Sequence, residues 1–301
     1  MKRLLIGVLF LGFFTAVPAR AALSVFACEP EWGALTQALG GDQVTVSVAT
    51  TALQDPHHVQ ARPSLIARLR RAELVVCTGA ELEIGWLPML QRQAGNSRVQ
   101  IGQPGYFSAS DYVTMLEKPA RLDRSEGDVH PYGNPHIQTD PRRIAQVANA
   151  LAQRLAQLDP SHSGIYHKRY QDFSARWDAA VSRWEKQAAP LRGTAVVTQH
   201  KGWVYLEDWL GLKEVATLEP KPGIPPSAGY LAEGLDTLKS HPAKMVIRAA
   251  YQDPRAMQWM SAHSNLPAVV LPFTVGGDDQ AKDLFSLFDD TIARLLRPVK
   301  S

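Results

Sequence analysis

The sequence predicts an α/β protein made of two similar α/β lobes with parallel-type sheets, joined by one long helix. Three observations carry this. Short β-branched runs alternate with amphipathic segments in both halves, the pattern of strands joined by helical crossovers. Between the halves, Tyr166, Tyr170, Phe173, Trp177, Val181 and Trp184 recur at three- and four-residue steps, which lines them along one helix face. The chain is also long enough for two domains of roughly 100–200 residues each.

In order along the chain, LSVFAC (23–28) reads as a buried strand and EWGALTQALGG as a helix stopped by glycine. QVTVSVAT is a second, alternating strand. QDPHHVQARP is a loop, and Pro63-Ser64 opens the helix SLIARLRRA. ELVVCTG is a third strand, EIGWLPMLQRQA a helix, and Arg98–Ile101 a short strand. Residues 104–138 are dominated by Pro, Gly, Ser and charges and read as loop. Asp140-Pro141 opens a helix to about Leu158, with Asp140 as N-cap. Asp159-Pro160 repeats that signal, and the helix that follows runs to about Ala189, roughly 45 Å at 1.5 Å per residue. A second α/β unit follows. TAVVTQH, EVATL, KMVIRAA and AVVLPF are its strands, and VYLEDWLG, GYLAEGLDTLKS, RAMQWMSAH and AKDLFSLFDDTIARLL its helices. The expected divisions are a leader at 1–21, an N-terminal lobe at 22–158, the linking helix at 159–190 and a C-terminal lobe at 191–301.

Lys2 and Arg3, an apolar run from Leu4 to Val17, and Ala19-Arg20-Ala21 have the layout of a cleaved secretory signal peptide. The run is shorter than the about 20 apolar residues a spanning helix needs. Bulky Phe26 argues against a lipid anchor at Cys28. The mature chain is therefore expected to start near Ala22, in the periplasm. Loss of Lys2, Arg3 and Arg20 from the 32 basic residues leaves 29 against 29 acidic ones, so the basic balance of the whole chain implies no nucleic-acid partner. Two cysteines, Cys28 and Cys77, are too few for a disulfide scaffold, but both end strand-like runs. If those strands are neighbours, an oxidising compartment permits a bridge. Two buried free thiols are the other reading, and a thiolate metal site would want closer spacing.

Chemistry concentrates in the nine histidines. His57 (QDPHHVQARPS) and His136 (GNPHIQTDP) sit in loops, and His200 ends the strand TAVVTQH. Ligands of open α/β sheets bind beyond the carboxyl ends of strands, where loops from two facing lobes can bring three imidazoles together. Imidazole suits zinc, and three His with one oxygen ligand make a tetrahedral site. Asp55-Pro56 and Asn134-Pro135 stiffen the chain ahead of two of the ligands. Taken singly, each of these histidines could be an ordinary loop residue; the set carries the reading. His162, His167, His241 and His263 fall on helices or helix ends and read as surface or structural.

DPHHVQARPSLIARLRRAELVVCTGAELE resembles the loop–helix–strand block of the zinc and manganese solute-binding proteins of ABC importers, the ZnuA/TroA-like family. NPHIQTDPRR resembles that family's second His motif, and VVTQHKGWVYLEDWLGL its third. The resemblance runs over the whole mature chain. It implies a metal ion in the cleft between two lobes, held by His57, His136 and His200. It also implies a monomer that hands its ion to a membrane permease, with a periplasmic zinc chaperone as a further candidate partner. The family's usual fourth ligand is a carboxylate of the last C-lobe loop. Here Val275 stands at that position, so Asp278 is expected to serve, with Asp279 next. The family's other option, Glu just before the first His, is closed by Pro56. Zinc-specific members carry a His-rich loop, reduced here to His130 as a secondary metal residue; His58 is an alternate first ligand. An imidazole-rich site favours Zn2+ over Mn2+. No chemistry is expected, and ion affinity should fall as the imidazoles protonate. The rivals are a manganese receptor of the same type, a zinc metallohydrolase, against which the absence of HExxH counts, and a surface adhesin.

Overall fold

The computed structural model describes residues 21–120 and 127–300. Apart from Ala21, the expected leader lies outside the described residues. Among these residues, no helix is long and apolar enough to cross a membrane.

The first sheet contains β1 (Leu23–Ala27), β2 (Val44–Val48), β3 (Leu74–Cys77) and β4 (Tyr106–Ser108) in the order β2-β1-β3-β4. The second contains β5 (Ala195–Thr198), β6 (Lys213–Thr217), β7 (Met245–Ala249) and β8 (Ala268–Leu271) in the order β6-β5-β7-β8. Every pairing is parallel, and the two orders are the same pattern, so the lobes repeat one topology. Parallel strands need crossovers, and α1 (Pro30–Gly40), α2 (Pro63–Arg71) and α3 (Leu87–Ala94) supply them in the first lobe. α6 (Val204–Leu210), α7 (Ala228–Ser240) and α8 (Arg255–Ser264) do so in the second.

One strand differs from expectation. Ser97–Val99 form a single 3-10 turn, and the fourth strand lies at Tyr106–Ser108, inside the segment read as loop. Three residues are too few for an alternation signal, and their strand character comes from pairing with β3.

α4 (Pro141–Leu158), α5 (Ser163–Ala188) and α9 (Leu284–Lys300) tie the lobes together. Asp140 caps α4 by accepting from the Arg142 N–H at 2.8 Å. α5 has 26 residues, hence about 39 Å of axis. Tyr166, Phe173, Trp177 and Trp184 on its inner face are buried in a core that runs from the first sheet to the second. Trp177 stacks on Phe173 (ring centroids 5.2 Å) and meets Trp184 edge-on at 5.2 Å. Trp184 continues to Phe288 of α9 at 5.2 Å, and Phe288 to Trp209 of α6 at 5.7 Å. Both indoles are satisfied: Trp177 Nε1 donates to the Pro141 carbonyl at 2.8 Å and Trp184 Nε1 to Asp289 Oδ1 at 2.6 Å.

Cys28 and Cys77 are joined in a disulfide across the ends of neighbouring β1 and β3, with Cα atoms 4.8 Å apart. The parallel register that hydrogen-bonds Cys28 N to the Val76 carbonyl places the two side chains together.

Candidate metal centre

The carboxyl ends of the two sheets face one another, and the loops leaving them meet. His57 follows β2, His136 precedes α4 on the connection from β4, and His200 follows β5. Nitrogen atoms of these three residues lie within 4.8 Å of one another, and all three residues are buried. His136 Nε2 and His200 Nε2 are 3.3 Å apart. His57 Nε2 is buried with no hydrogen-bond partner. The ring of His57 is 5.3 Å from that of His136 and 5.9 Å from that of His200, centre to centre.

Each ligand candidate is oriented by a definite contact. Asp55 Oδ1 accepts both from the His57 backbone N–H (3.0 Å) and from His57 Nδ1 (2.8 Å), an Asx-type turn that aims Nε2 into the cleft. Trp86 Nε1 donates to the Pro56 carbonyl at 2.9 Å and fixes the same loop from below. Glu219, just beyond β6, accepts from His200 Nδ1 at 2.7 Å, which leaves Nε2 as the free nitrogen. Asn134 Oδ1 accepts from the His136 N–H at 3.1 Å. Tyr205 of α6 donates to the Asn134 carbonyl at 2.7 Å, so the His136 loop is pinned to the second lobe. Phe273 packs edge-on against the His136 ring at 5.2 Å.

Carboxylates behind two imidazoles form the outer shell that fixes tautomer and raises basicity in metal sites. Burial alone would raise the Asp55 carboxyl, but the hydrogen bonds and charge of His57 outweigh it and hold Asp55 well below the usual carboxylate range. Burial, reinforced by the neighbouring histidines, pushes His136 well below the usual imidazole range, so it stays neutral and its lone pair stays available. Burial likewise pushes His130 down to about 4, helped by His57 and His200.

The expected carboxylate ligand is not brought in. The group of mutually close atoms contains no carboxylate. Asp278 Oδ1 instead accepts from the N–H groups of Gln280 (2.8 Å) and Ala281 (2.9 Å), and its Oδ2 pairs with Arg294 of α9 at 2.7 Å. Arg294 ties this carboxylate to the helix. Asp279 is exposed. His58 points outward with its side chain 70% exposed, because Asp55 fixes His57 as the inward member of the pair. His130 lies beside the group, its ring 5.4 Å from that of His57. In the sequence Asp55-Pro56 reads only as a stiff dipeptide, which misses Asp55 as the partner of His57, although Asp two residues ahead is an Asx-turn signal; Glu219 carries no local signal, since only sheet pairing brings it to His200.

A buried, carboxylate-backed imidazole cluster where two parallel-sheet lobes meet defines a protein that holds a divalent metal ion. The family model of the periplasmic zinc-uptake complex component A (ZnuA) matches residues 25–297, and the chain belongs to that family. Its members are solute-binding receptors and not enzymes, which removes the metallohydrolase reading. The chain is 23% identical over 257 residues to the manganese ABC transporter substrate-binding lipoprotein PsaA of Streptococcus pneumoniae, covering 83% of this chain and 79% of PsaA. It is 26% identical over 239 residues to the high-affinity zinc uptake system protein ZnuA of Yersinia pestis, covering 70% of each. Among solved structures, a ZnuA crystal structure superposes with a TM-score of 0.74 at 22% identity, over 91% of this chain and 99% of that one. The chain is thus the substrate-binding component of a metal ABC transporter, a class that works with a membrane permease and an ATPase.

Proposed function

We propose that the chain is a periplasmic high-affinity zinc receptor in which His57, His136 and His200 hold one Zn2+ through their Nε2 atoms for delivery to the permease of an ABC importer. The observation that carries this is the approach of His136 Nε2 to His200 Nε2 at 3.3 Å, beside the unpartnered His57 Nε2. Zn–N bonds of about 2.0–2.1 Å in a tetrahedron put neighbouring nitrogens roughly 3.3–3.4 Å apart. The Cys28–Cys77 bridge supports an oxidising compartment. The mature chain starts near residue 22, and its units are an N-terminal lobe to 158, a linking helix at 159–190 and a C-terminal lobe from 191. It works as a monomer, and a zinc chaperone of the same compartment is a further partner.

Manganese is the second reading, because relatives of the chain divide between manganese and zinc in their names. An imidazole-only cluster speaks against it, since manganese favours carboxylate and water oxygens. The deciding experiment measures metal content of protein isolated from periplasm, then zinc and manganese titrations of the stripped protein. Expected are one zinc per chain, tight zinc and weak manganese binding, and loss of stoichiometric binding in His136→Ala. Protein isolated with manganese, or a His136→Ala variant that keeps full zinc stoichiometry, would overturn the reading.

A further inference from the structure

Three imidazoles leave a tetrahedral ion one ligand short, and the usual suppliers are engaged elsewhere. Asp55 is held by His57, Glu219 by His200 Nδ1 and the Gly223 N–H (2.9 Å), and Asp278 by Arg294. Among the described residues that line the cavity at the cluster, Glu117, Asp128 and His130 are left, and His130 is the one with a buried nitrogen lacking a partner. Its Nε2 is buried and has no hydrogen-bond partner, and its ring is 5.4 Å from that of His57.

The ring is also presented by a strained piece of backbone. Gly79, Ala80 and Glu81 all have positive φ, at 80°, 51° and 67°. For Ala80 and Glu81 this costs on the order of 1–3 kcal/mol each, and such strain persists only where its surroundings enforce it. The buried Glu83 carboxylate does so by accepting from the N–H groups of Thr78 (2.8 Å) and Gly79 (3.1 Å), one residue beyond the disulfide at Cys77. The Ala80 and Glu81 backbone lies beside the His130 ring, whose Nε2 has no partner. On the other side, Asp128 N donates to the Pro222 carbonyl at 3.0 Å, so the segment carrying His130 spans from the first lobe's turn to the second lobe.

We propose that His130 supplies the fourth protein ligand, so that the ion is caged by four imidazoles and no carboxylate. This rests on the zinc-site reading above. His130 stands outside the group whose atoms lie within 4.8 Å of one another, so it reaches the ion by a shift of its side chain. A four-nitrogen cage excludes water from the ion and sets the site further from the oxygen-rich environment manganese prefers.

The test uses the full mature chain with Zn2+ or Co2+ alone. Wild type, His130→Ala, His130→Gly and the control His58→Ala are titrated with zinc against a chelator, and their cobalt complexes are compared by visible absorption. Expected for His130→Ala is one ion per chain with zinc affinity reduced at least as much as the roughly 10–100-fold lost with an outer-shell partner. Its cobalt bands should shift as a water oxygen replaces a nitrogen, and added imidazole should restore the wild-type spectrum in His130→Gly. His58→Ala should match wild type. Unchanged zinc affinity and an unchanged cobalt spectrum in His130→Ala would overturn the four-imidazole cage, as would an effect on binding rate alone, which would make His130 a relay. Wild-type protein that binds neither ion would instead sink the underlying zinc-site reading.

Discussion

The outer-shell carboxylates allow a graded test of the site. Removing Asp55 or Glu219 leaves the three proposed Nε2 ligand atoms in place but frees the ring behind each. Loss of such a partner typically costs 10–100-fold in metal affinity, about 1.4–2.7 kcal/mol. Burial ranks the two. Both imidazoles are 8% exposed, but the Asp55 side chain is 42% exposed and Glu219 only 15%. Water screens the first pair more than the second. Glu219 also accepts from the Gly223 N–H at 2.9 Å and so holds its own loop. Asp55→Ala is therefore expected near the tenfold end and Glu219→Ala near the hundredfold end. Glu219→Gln, which keeps an acceptor for His200 Nδ1 without the charge, should fall between Glu219→Ala and wild type. Zinc affinity is read by competition with a chelator of known strength, and folding is checked by circular dichroism. Equal affinity in all four proteins would refute the claim that these carboxylates orient the ligands, and a larger loss for Asp55→Ala would refute the ranking by burial.

Other expectations follow from the same contacts. Asp278→Ala should leave zinc affinity unchanged and lower stability by about 1 kcal/mol, because it removes a turn cap and one partner of a half-buried ion pair; zinc titration and denaturant unfolding report the two effects separately. Burial, with Glu214 and Glu117 adding to it against Lys201, pushes Glu207 up to about 8. The folded state therefore keeps a proton that the unfolded state loses near pH 4.5, and this contribution to stability fades as pH rises through 8. Glu207→Gln should flatten that loss and be the more stable protein at pH 9 by roughly 2–4 kcal/mol, read as a difference in thermal unfolding of metal-free protein at pH 5 and pH 9. Reducing the Cys28–Cys77 bridge, whose ends are 49 residues apart, should cost up to about 4 kcal/mol in chain entropy, measured as a fall in denaturant midpoint.

Much of the fold was legible because its signals are local. Strand runs with glycine or proline punctuation placed seven of the eight strands, and the α5 aromatic stripe marked the helix between lobes. The fourth strand was not legible, since Tyr106–Ser108 is extended only by virtue of pairing with β3. At the site, His57, His136 and His200 stood out by following strands or stiff X-Pro loops. The choice between His57 and His58 lay in the Asx turn of Asp55, which sequence contains but does not rank. Asp278 looked like a ligand because it follows β8 closely; its actual partner, Arg294, is set by the docking of α9, which is a tertiary fact. Glu219 and the strained turn at Ala80-Glu81 depend on sheet register and on a buried carboxylate, and nothing in their own neighbourhoods announces them.

How an ion enters follows from what cannot move. Parting the lobes about α5 would open the aromatic slab of Phe173, Trp177, Trp184, Phe288 and Trp209. A large aromatic side chain buries about 150–250 Å², worth roughly 4–6 kcal/mol at 25 cal/mol per Å². Exposing even one of these rings would hold the opened form below about one molecule in a thousand. The loops carrying the histidines are tied down far more cheaply, by single hydrogen bonds worth about 1 kcal/mol each, such as Tyr205 to Asn134 and Asp128 to Pro222. A cavity of about 640 Å³, lined by Asp55, His57, His200, Glu219 and Tyr251, opens beside them and gives a path to solvent. Entry and release therefore belong to these loops, while the two sheets and α5 stay fixed behind them.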